Sequence, residues 1–291
     1  MTQAESRRYC GRDFTPWDMR IIREIISEDP GRSRFQISKI VCKSLEWFKP
    51  DGGLKDMSCR VAMLRMHDDG LVQLPPPRTC GRSGKPCRIA LTSRTLPGPP
   101  VDQPVHRLPK LCLTRVASKD QSRLWNEYTQ RYHCLGYAPL PGAQIRYFVR
   151  IENQTLALLE FSAAAWKTTP RDEFIGGSPA QRQRNLHLVV NNSRILILPW
   201  ISSKNLASNV FTAAARRLPE DWMKTYNYAP VLMESFVQTD RFEGTCYKAA
   251  NWQKIGITKE GRGKLDRYNL CAIPKKVYGS IHYAKISKSG Y

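Results

Sequence analysis

Ionisable side chains interrupt apolar runs of this sequence at several places where acid–base chemistry could occur. Glu160 and Glu234 each stand within a strand pattern, where burial would raise the pKa of the carboxyl towards that of a general base. Tyr247 lies near a helix start, and Asp172 follows Arg171. We therefore select Glu234, Tyr247 and Asp172 as candidate catalytic residues. The alternative is structural, with each carboxylate in water or paired with an arginine.

The turn between a buried strand and a helix is the candidate anion site. The apolar run 195–200 has the length of a strand buried on both faces, and residues 205–218 carry apolar side chains at helical spacing. Backbone N–H groups at such a helix start lack partners and attract phosphate. The candidate cofactor-binding residues are Ser203, Lys204, Asn205, Leu206, Ala207 and Ser208. The alternative is an ordinary turn with Ser203 or Asn205 as N-cap.

The charge of the chain favours a polyanionic partner. The sequence has 46 basic and 25 acidic residues, a net charge of +21, and a pI of about 9.8. Residues 1–110 carry +8 and the remainder +13, so the excess does not belong to one basic tail. We predict nucleic acid, DNA first, as the partner.

Several classes of protein are disfavoured. No run approaches 18 apolar residues, so we predict no membrane span and no membrane partner, and the N-terminus lacks the apolar core of a signal peptide. Nine cysteines without a Cys-x-x-Cys pair indicate reduced thiols and a cytoplasmic location. No metal site is predicted.

A Pro- and Gly-rich stretch divides the sequence. Prolines at the density found between Leu74 and Leu108 do not fit helices or central strands. We predict a first domain over 1–80, a linker over 81–109 and a larger domain over 110–291.

The first domain shows three helical patterns. One opens at Thr15-Pro16, the second covers 33–48, and the third opens at 53–56 and closes at Gly70. A short strand at 71–74 and a basic loop follow, which is the order of a winged helix-turn-helix. A three-helix unit for protein contacts is the alternative. The predicted DNA contacts, mainly to phosphates, are Lys55, Arg60, Arg65, Arg78, Arg82, Lys85 and Arg88.

The larger domain alternates strands and helices. The patterns predict strands at 111–116, 145–151, 155–161, 195–200, 231–237 and 277–283, and helices at 121–133, 180–190, 205–218 and 244–255. This order predicts an α/β fold with a mixed sheet covered by helices.

The order of elements also resembles the GNAT acetyltransferase fold. That resemblance implies that the turn 201–208 holds the pyrophosphate of an acyl-coenzyme A. The ending 251–256 resembles the leucine-tyrosine-x-lysine-x-glycine ending common in the fold. Two departures are present: the usual glycine-rich loop is absent from 203–207, and Trp252 stands where a general-acid tyrosine often lies.

The chain resembles the family of the Druantia anti-phage protein DruA more specifically. The resemblance rests on the motifs at 53–60, 74–78, 133–136, 171–176, 196–200, 204–208, 244–252 and 261–263. It implies a bacterial defence or mobile-element protein that works beside other defence proteins, and it carries over no catalytic residue. Arg262 and Lys264 lie in a basic loop suited to phosphate.

The combined expectation is a nucleic-acid-binding protein of anti-phage defence with an acetyltransferase-like domain. The alternative is an acyltransferase-like enzyme that uses a phosphorylated cofactor, such as acyl-coenzyme A, on a nucleic-acid or protein acceptor.

Overall fold

The computed structural model describes residues 6–77, 89–258 and 275–281. The chain forms two compact units, Met1–Pro86 and Cys87–Tyr291. Each unit has its own hydrophobic core.

The N-terminal unit begins with a hairpin that the sequence analysis did not predict. Strands β1 (Arg7–Tyr9) and β2 (Arg12–Phe14) pair antiparallel. The two turn residues, Cys10 and Gly11, both have positive φ, at 49° and 81°. Two successive positive φ angles give the tight turn that suits the twist of a hairpin, and glycine adopts them without strain.

Three helices follow the hairpin: α1 (Pro16–Glu28), α2 (Arg34–Ser44) and α3 (Asp56–Asp68). The first starts with a capping box between Thr15 and Asp18, and the second starts with one between Ser33 and Gln36. These boxes satisfy backbone donors at both helix starts. The sequence-predicted helices are therefore present, although the second ends at Ser44 rather than at residue 48.

The winged-helix arrangement is not confirmed. The predicted strand at 71–74 is not a strand, and residues 71–77 continue as extended chain. Two arginine side chains bind carbonyl groups of this extended segment. Arg23 donates to the carbonyl oxygen of Leu71 at 2.9 Å, and Arg34 donates to that of Pro75 at 2.7 Å. The predicted basic loop lies outside the described residues.

The larger unit contains a seven-stranded mixed sheet. Its strands are β3 (Cys112–Arg115), β4 (Gln144–Ile151), β5 (Gln154–Ala163), β6 (Val189–Ile197), β7 (Leu232–Gln238), β8 (Gln253–Ile257) and β9 (Lys275–Ile281). They lie in the order β3-β4-β5-β6-β7-β9-β8. In the described ladders β6 and β7 pair in parallel, and the other neighbours pair antiparallel. The predicted α/β class with a mixed sheet is confirmed.

Helices cover both faces of this sheet. They are α4 (Lys119–Tyr132), α5 (Thr169–Ile175), α6 (Pro179–Asn185), α7 (Leu206–Tyr226) and α8 (Thr245–Ala249). Arg146 of β4 donates to Asn126 of α4 at 2.6 Å, whereas the hydroxyl of Tyr147 donates to Asp221 of α7 at 2.9 Å. Because successive strand residues point to opposite faces, α4 and α7 lie on opposite sides.

Several sequence-predicted elements of the larger unit are wrong in type or extent, and the predicted helix 205–218 continues to Tyr226 as α7. The predicted helix 244–255 ends at residue 249, and Gln253–Ile257 instead forms β8, because Asn251 takes a positive φ and the next residues pair with β9. The predicted helix 180–190 ends at residue 185 and passes through a 3₁₀ turn into β6. Strand β6 therefore begins at residue 189, six residues before the predicted strand.

Residues 89–109, predicted as part of a linker, pack on the larger unit. The hydroxyl of Thr95 donates to Glu127 of α4 at 2.7 Å, and Val101 forms a parallel bridge with Ile201. Burial alone would raise the pKa of Glu127, but hydrogen bonds from Thr95 and Thr92 hold the pKa of this carboxyl below its usual value. The Pro-rich segment is thus fixed by specific polar contacts.

Candidate functional site

The parallel pair at the centre of the sheet separates half-way along its length. The β6–β7 ladder covers Val189–Asn192 against Leu232–Ser235. The register between β6 and β5 shifts at the next residue. Phe161 pairs with Asn192 and Glu160 pairs with Arg194, so Ser193 has no partner on β5 and forms a β-bulge. From Arg194 to Ile197, β6 keeps its ladder with β5, while no pairing with β7 is recorded for these described residues. An opening therefore lies at the carboxyl end of β6, where ligands of open α/β sheets bind.

A buried hydrogen-bond network closes the apex of this opening. Ser235 of β7 donates to the hydroxyl of Tyr247 at 2.8 Å, and Tyr247 donates to Oδ1 of Asn192 at 3.2 Å. The Asn192 amide nitrogen donates to the carbonyl oxygens of Glu160 and Arg194, both at 3.1 Å. Asn192 thus links the bulge to β7 and α8.

Tyr247, a predicted catalytic residue, is buried within aromatic rings. Its ring stacks on Tyr278 with centroids 5.3 Å apart and contacts Phe211 of α7 at 4.5 Å. Burial raises the pKa of its hydroxyl well above the usual value. Trp252 packs on the same rings, 5.4 Å from Tyr247 and 5.5 Å from Phe211. These contacts make the hydroxyl a fixed dipole at the apex rather than a group exposed at a surface.

The bend before α7 is open to solvent at several residues. Ser202, Lys204 and Asn205 are exposed. The segment around Val101 covers one side of the bend, since the amide of Ser202 donates to the carbonyl oxygen of Val101 at 2.7 Å. The side chains of these three residues are therefore accessible, and a phosphate site at the bend stays a prediction.

The start of α7 has no side-chain cap. Asn205 is the N-cap residue, but its φ of 65° is left-handed and its side chain makes no capping hydrogen bond. Helices α1, α2, α4 and α6 begin with a capping box, whereas α3, α5 and α8 also lack a side-chain cap. The hydroxyl oxygen of Ser203 is buried without a hydrogen-bond partner among the described residues. Helix α7 is 21 residues long. The amide of Leu206 already donates to the carbonyl oxygen of Ser203 at 3.2 Å, so the N–H groups without a side-chain cap are those of the following residues of the first turn.

The six predicted cofactor residues differ in what they expose. Lys204 and Asn205 are exposed and Ser203 is half-buried, whereas Leu206 points into the core. Ser208 is buried, and its hydroxyl donates to the carbonyl oxygen of Asn205 at 3.0 Å. A ligand at this bend would therefore meet the side chains of residues 203–205 and the backbone of the first helical turn.

Glu234 and Asp172, the other predicted catalytic residues, are joined by a buried arginine. One guanidinium nitrogen of Arg171 donates to Glu234 at 3.1 Å and to the carbonyl oxygen of Ala165 at 2.9 Å. Its other nitrogens donate to Asp172 at 3.0 and 2.8 Å, and Arg182 donates to the same carboxylate at 3.1 Å. This arrangement is the structural alternative of the sequence analysis, an ion-paired cluster.

Glu234 keeps an unusual protonation equilibrium in spite of its pairing. Burial raises the pKa of this carboxyl to about 7, against the opposing effect of Arg171. Its second oxygen, Oε2, is buried without a partner among the described residues, and so is Oδ1 of its ladder neighbour Asn191. The cluster thus contains a carboxyl that can take up a proton near neutral pH.

The apex network around Tyr247 and the ion-paired cluster around Glu234 lie on opposite faces of β7. Ser235 contacts Tyr247 on the α7 face, and the adjacent Glu234 contacts Arg171 of α5 on the other face. The structure therefore brings Glu234 together with Asp172 and separates both from Tyr247. A second buried pair, Glu160 with Arg194 at 2.5 Å, lies on the α4 face.

The apex residues Asn192 and Ser235 were missed by sequence reasoning. Ser235 lies inside the strand pattern 231–237, as Glu234 does, and that position was the available signal, whereas Asn192 falls between the predicted helix 180–190 and the predicted strand 195–200. The partner of Arg171 is 63 residues away in the chain, and no spacing pattern indicates such a pair.

The predicted nucleic-acid residues divide between described and undescribed parts of the chain. Arg78, Arg82, Lys85, Arg88, Arg262 and Lys264 lie outside the described residues. On α3, Arg65 is exposed, and Arg60 pairs with Asp56 at 3.4 Å. Lys55 is half-buried at the start of the same helix. Nucleic-acid binding by these side chains stays a prediction.

Two kinds of feature are absent from the described residues. No group of three or more His, Cys, Asp or Glu residues in this part of the chain is arranged to hold a metal ion. None of the helices among the described residues has the length and apolar character needed to cross a bilayer.

Comparison with known proteins places the chain in a family. The family model described as Druantia protein DruA matches residues 96–286, about two thirds of the chain, all within the larger unit. The chain belongs to the DruA family. The resemblance stated from the motifs is thereby confirmed, and the DruA match contains β6, the bend, α7 and the apex residues. No curated protein matches the chain by sequence.

Solved structures similar to this DruA-family chain include several acetyltransferases. The ribosomal-protein-S18-alanine N-acetyltransferase from Escherichia coli has a TM-score of 0.39 and 7% identity, covering 62% of this chain and 100% of that one. The aminoglycoside acetyltransferase AAC(6')-Ib in complex with coenzyme A has a TM-score of 0.41 and 11% identity, covering 60% and 95%. A chimera of spermidine N-acetyltransferase SpeG from Vibrio cholerae has a TM-score of 0.39 and 13% identity, covering 59% and 95%.

Proposed function

We propose that this protein acts in anti-phage defence and that its larger unit binds a phosphorylated cofactor of the acyl-coenzyme A class. The observation that carries the proposal is the uncapped start of α7 at the carboxyl end of β6, where the parallel ladder stops. Phosphate groups would lie at residues 203–208, and the arm of the cofactor would follow the free edge of β6 towards the apex.

The residues at the bend fit the phosphate end of such a ligand. The N–H groups of the first helical turn carry the positive end of the helix dipole. Lys204 adds an exposed ammonium group, and the Ser203 hydroxyl has no partner among the described residues. No glycine occurs between 203 and 208, so phosphate contacts involve side chains as well as backbone.

The arrangement of residues supports binding of acyl-coenzyme A more than it supports transfer of the acyl group. A bound acyl-coenzyme A would supply an activated acyl thioester. Of the predicted catalytic residues, Tyr247 is hydrogen-bonded at the apex, while Glu234 and Asp172 lie on the other face of the sheet. We therefore propose the apex network as the end of the cofactor channel and keep the catalytic roles of Glu234 and Asp172 as predictions.

Nucleic acid is a second proposed partner because of the charge. The excess of 21 positive charges is distributed over both halves of the sequence. Such a field favours contact with phosphates irrespective of base sequence. The proposal does not depend on the cofactor, because either ligand can bind without the other.

Isothermal titration of the full chain with coenzyme A, acetyl-coenzyme A and ATP tests the cofactor proposal. We expect Lys204→Ala to weaken coenzyme A binding about tenfold, about 1.4 kcal/mol. Lys204→Glu should weaken binding further without lowering the melting temperature, because this side chain is exposed and a carboxylate there repels phosphate.

The matched control is Lys224→Ala, at the far end of α7, where the lysine is exposed and pairs with Glu220. Its coenzyme A affinity should equal that of the unmodified chain. The cofactor proposal is wrong if none of the three ligands binds, or if Lys224→Ala and Lys204→Ala have the same effect.

A further inference from the structure

Helix α3 of the N-terminal unit presents an apolar stripe to solvent. Met57, Val61 and Leu64 are 61%, 39% and 42% exposed. Their spacing of four and three residues puts them on one side of the helix. The opposite side, with Cys59, Ala62, Met63 and Met66, fills the core of the unit. The exposed stripe is therefore additional to the apolar surface that α3 needs for folding.

The stripe forms one wall of a groove. Phe35, at the start of α2, is 45% exposed and faces it, and the groove has a volume of about 410 Å³. Leu74 and Pro77 contribute to the remaining lining. A groove between two helices with an apolar lining is the usual receptor for an amphipathic helix.

The edge of the groove is positively charged. The ammonium of Lys39 lies 4.4 Å from the ring centroid of Phe35, and the guanidinium of Arg60 lies 5.3 Å from it. Arg34 also lines the groove, whereas none of the described lining residues is acidic. The pair of Arg60 with Asp56, at 3.4 Å, neutralises only part of this charge.

We propose that this groove binds one amphipathic helix of a partner protein, with apolar residues on one face and acidic residues beside them. The apolar face would cover Met57, Val61 and Leu64, and the acidic residues would meet Arg34 and Lys39. This surface lies in the N-terminal unit, so the inference is independent of the cofactor proposal.

Three other occupants fit the groove less well. A DNA major groove is read mainly by hydrogen bonds, with apolar contact confined to thymine methyl groups, and the side chains of Met57, Val61 and Leu64 form no such hydrogen bonds. The chain's own residues 78–88 contain no large apolar residue and carry four arginine or lysine side chains. A second copy of the chain would bring another +21 charge to a basic edge.

Fluorescence anisotropy with the full chain tests the proposal. The probe is a labelled helical peptide of about 14 residues, four turns, with leucines on one face and glutamates on the others. Two comparison peptides are used. In the lysine peptide, every glutamate is replaced by lysine and the leucines stay. In the serine peptide, every leucine is replaced by serine and the glutamates stay. A DNA duplex is the fourth probe.

We expect only the leucine–glutamate peptide to bind. Val61→Asp and Leu64→Asp should each weaken it at least tenfold, and Lys39→Glu should weaken it severalfold. Trp17→Ser is the matched control, because Trp17 is exposed in the same unit and does not line the groove. Hydrogen exchange of the unmodified chain should show α3 protected by the peptide, which tests the site without a substitution.

Four results would overturn the inference: no binding of the leucine–glutamate peptide, equal binding of the lysine peptide, an equal loss in Trp17→Ser, or no protection of α3. Loss of DNA binding in Val61→Asp, with peptide binding unchanged, would assign the groove to nucleic acid instead.

Discussion

Replacing Glu234 with glutamine should remove a pH dependence from the stability of the larger unit. The folded state raises the pKa of this carboxyl from 4.5 to about 7, so the folded chain holds a proton that the unfolded chain releases between these values. Stability from this group is fully present below pH 4.5 and is lost as the pH rises through 7. The difference corresponds to about 3 kcal/mol of unfolding free energy.

Urea unfolding at intervals from pH 5 to pH 8.5, followed by tryptophan fluorescence, measures this difference. The unmodified chain should lose stability relative to Glu234→Gln as the pH rises. At pH 8.5 the variant should approach or exceed the stability of the unmodified chain, because glutamine carries no buried charge and its amide oxygen can still accept from Arg171.

Glu127→Gln is the matched control, because the pKa of Glu127 is shifted in the opposite direction to that of Glu234. The pKa of Glu127 is lowered, so the stability that this group contributes is lost only as the pH falls below the usual carboxyl value. Between pH 5 and pH 8.5 its difference from the unmodified chain should stay constant. Parallel curves for Glu234→Gln and Glu127→Gln over this range would refute the reasoning, and so would a Glu234→Gln deficit that grows with pH.

Three further predictions concern packing, hydrogen bonding and charge. Gly244→Ala should destabilise the larger unit by roughly 2 kcal/mol, seen as a lower melting temperature, because Gly244 has a φ of +76° and a Cβ there would lie 2.6 Å from the Tyr278 ring. Tyr247→Phe should cost about 1–3 kcal/mol in urea unfolding, since it leaves Asn192 Oδ1 buried without its donor. DNA affinity of the full chain should fall on the order of 10³-fold between 50 and 200 mM salt if six or more phosphates are contacted; a flat response in anisotropy titrations would remove the nucleic-acid proposal.

The long periodic elements were predictable because their side-chain patterns are strong. The strand predicted at 231–237 is β7, and the helix predicted from residue 205 is α7. The hairpin at 7–14 was missed because three-residue strands give no periodicity, although Cys10-Gly11 is a two-residue turn signal. Local helical spacing at 253–257 also misled, since pairing with the distant β9 decides the conformation there.

The candidate site was predictable only in part, for a related reason. The bend at 203–208 follows from a buried strand that meets a helix, which is local information. Whether Glu234 is a free base or an ion-paired carboxyl depends on Arg171, and whether Tyr247 is exposed depends on Phe211 and Tyr278. Such contacts are set by tertiary packing, which no spacing in the sequence specifies.

The opening between β6 and β7 is fixed from both faces of the sheet, so it is a built feature rather than a frayed ladder. On the α7 face, Asn192 and Ser235 hold the two strands together through Tyr247. On the other face, Glu234 ties β7 to α5 through Arg171. Because the bulge at Ser193 comes directly after these anchored residues, the strands part at a defined position, which is where we propose that the cofactor arm ends.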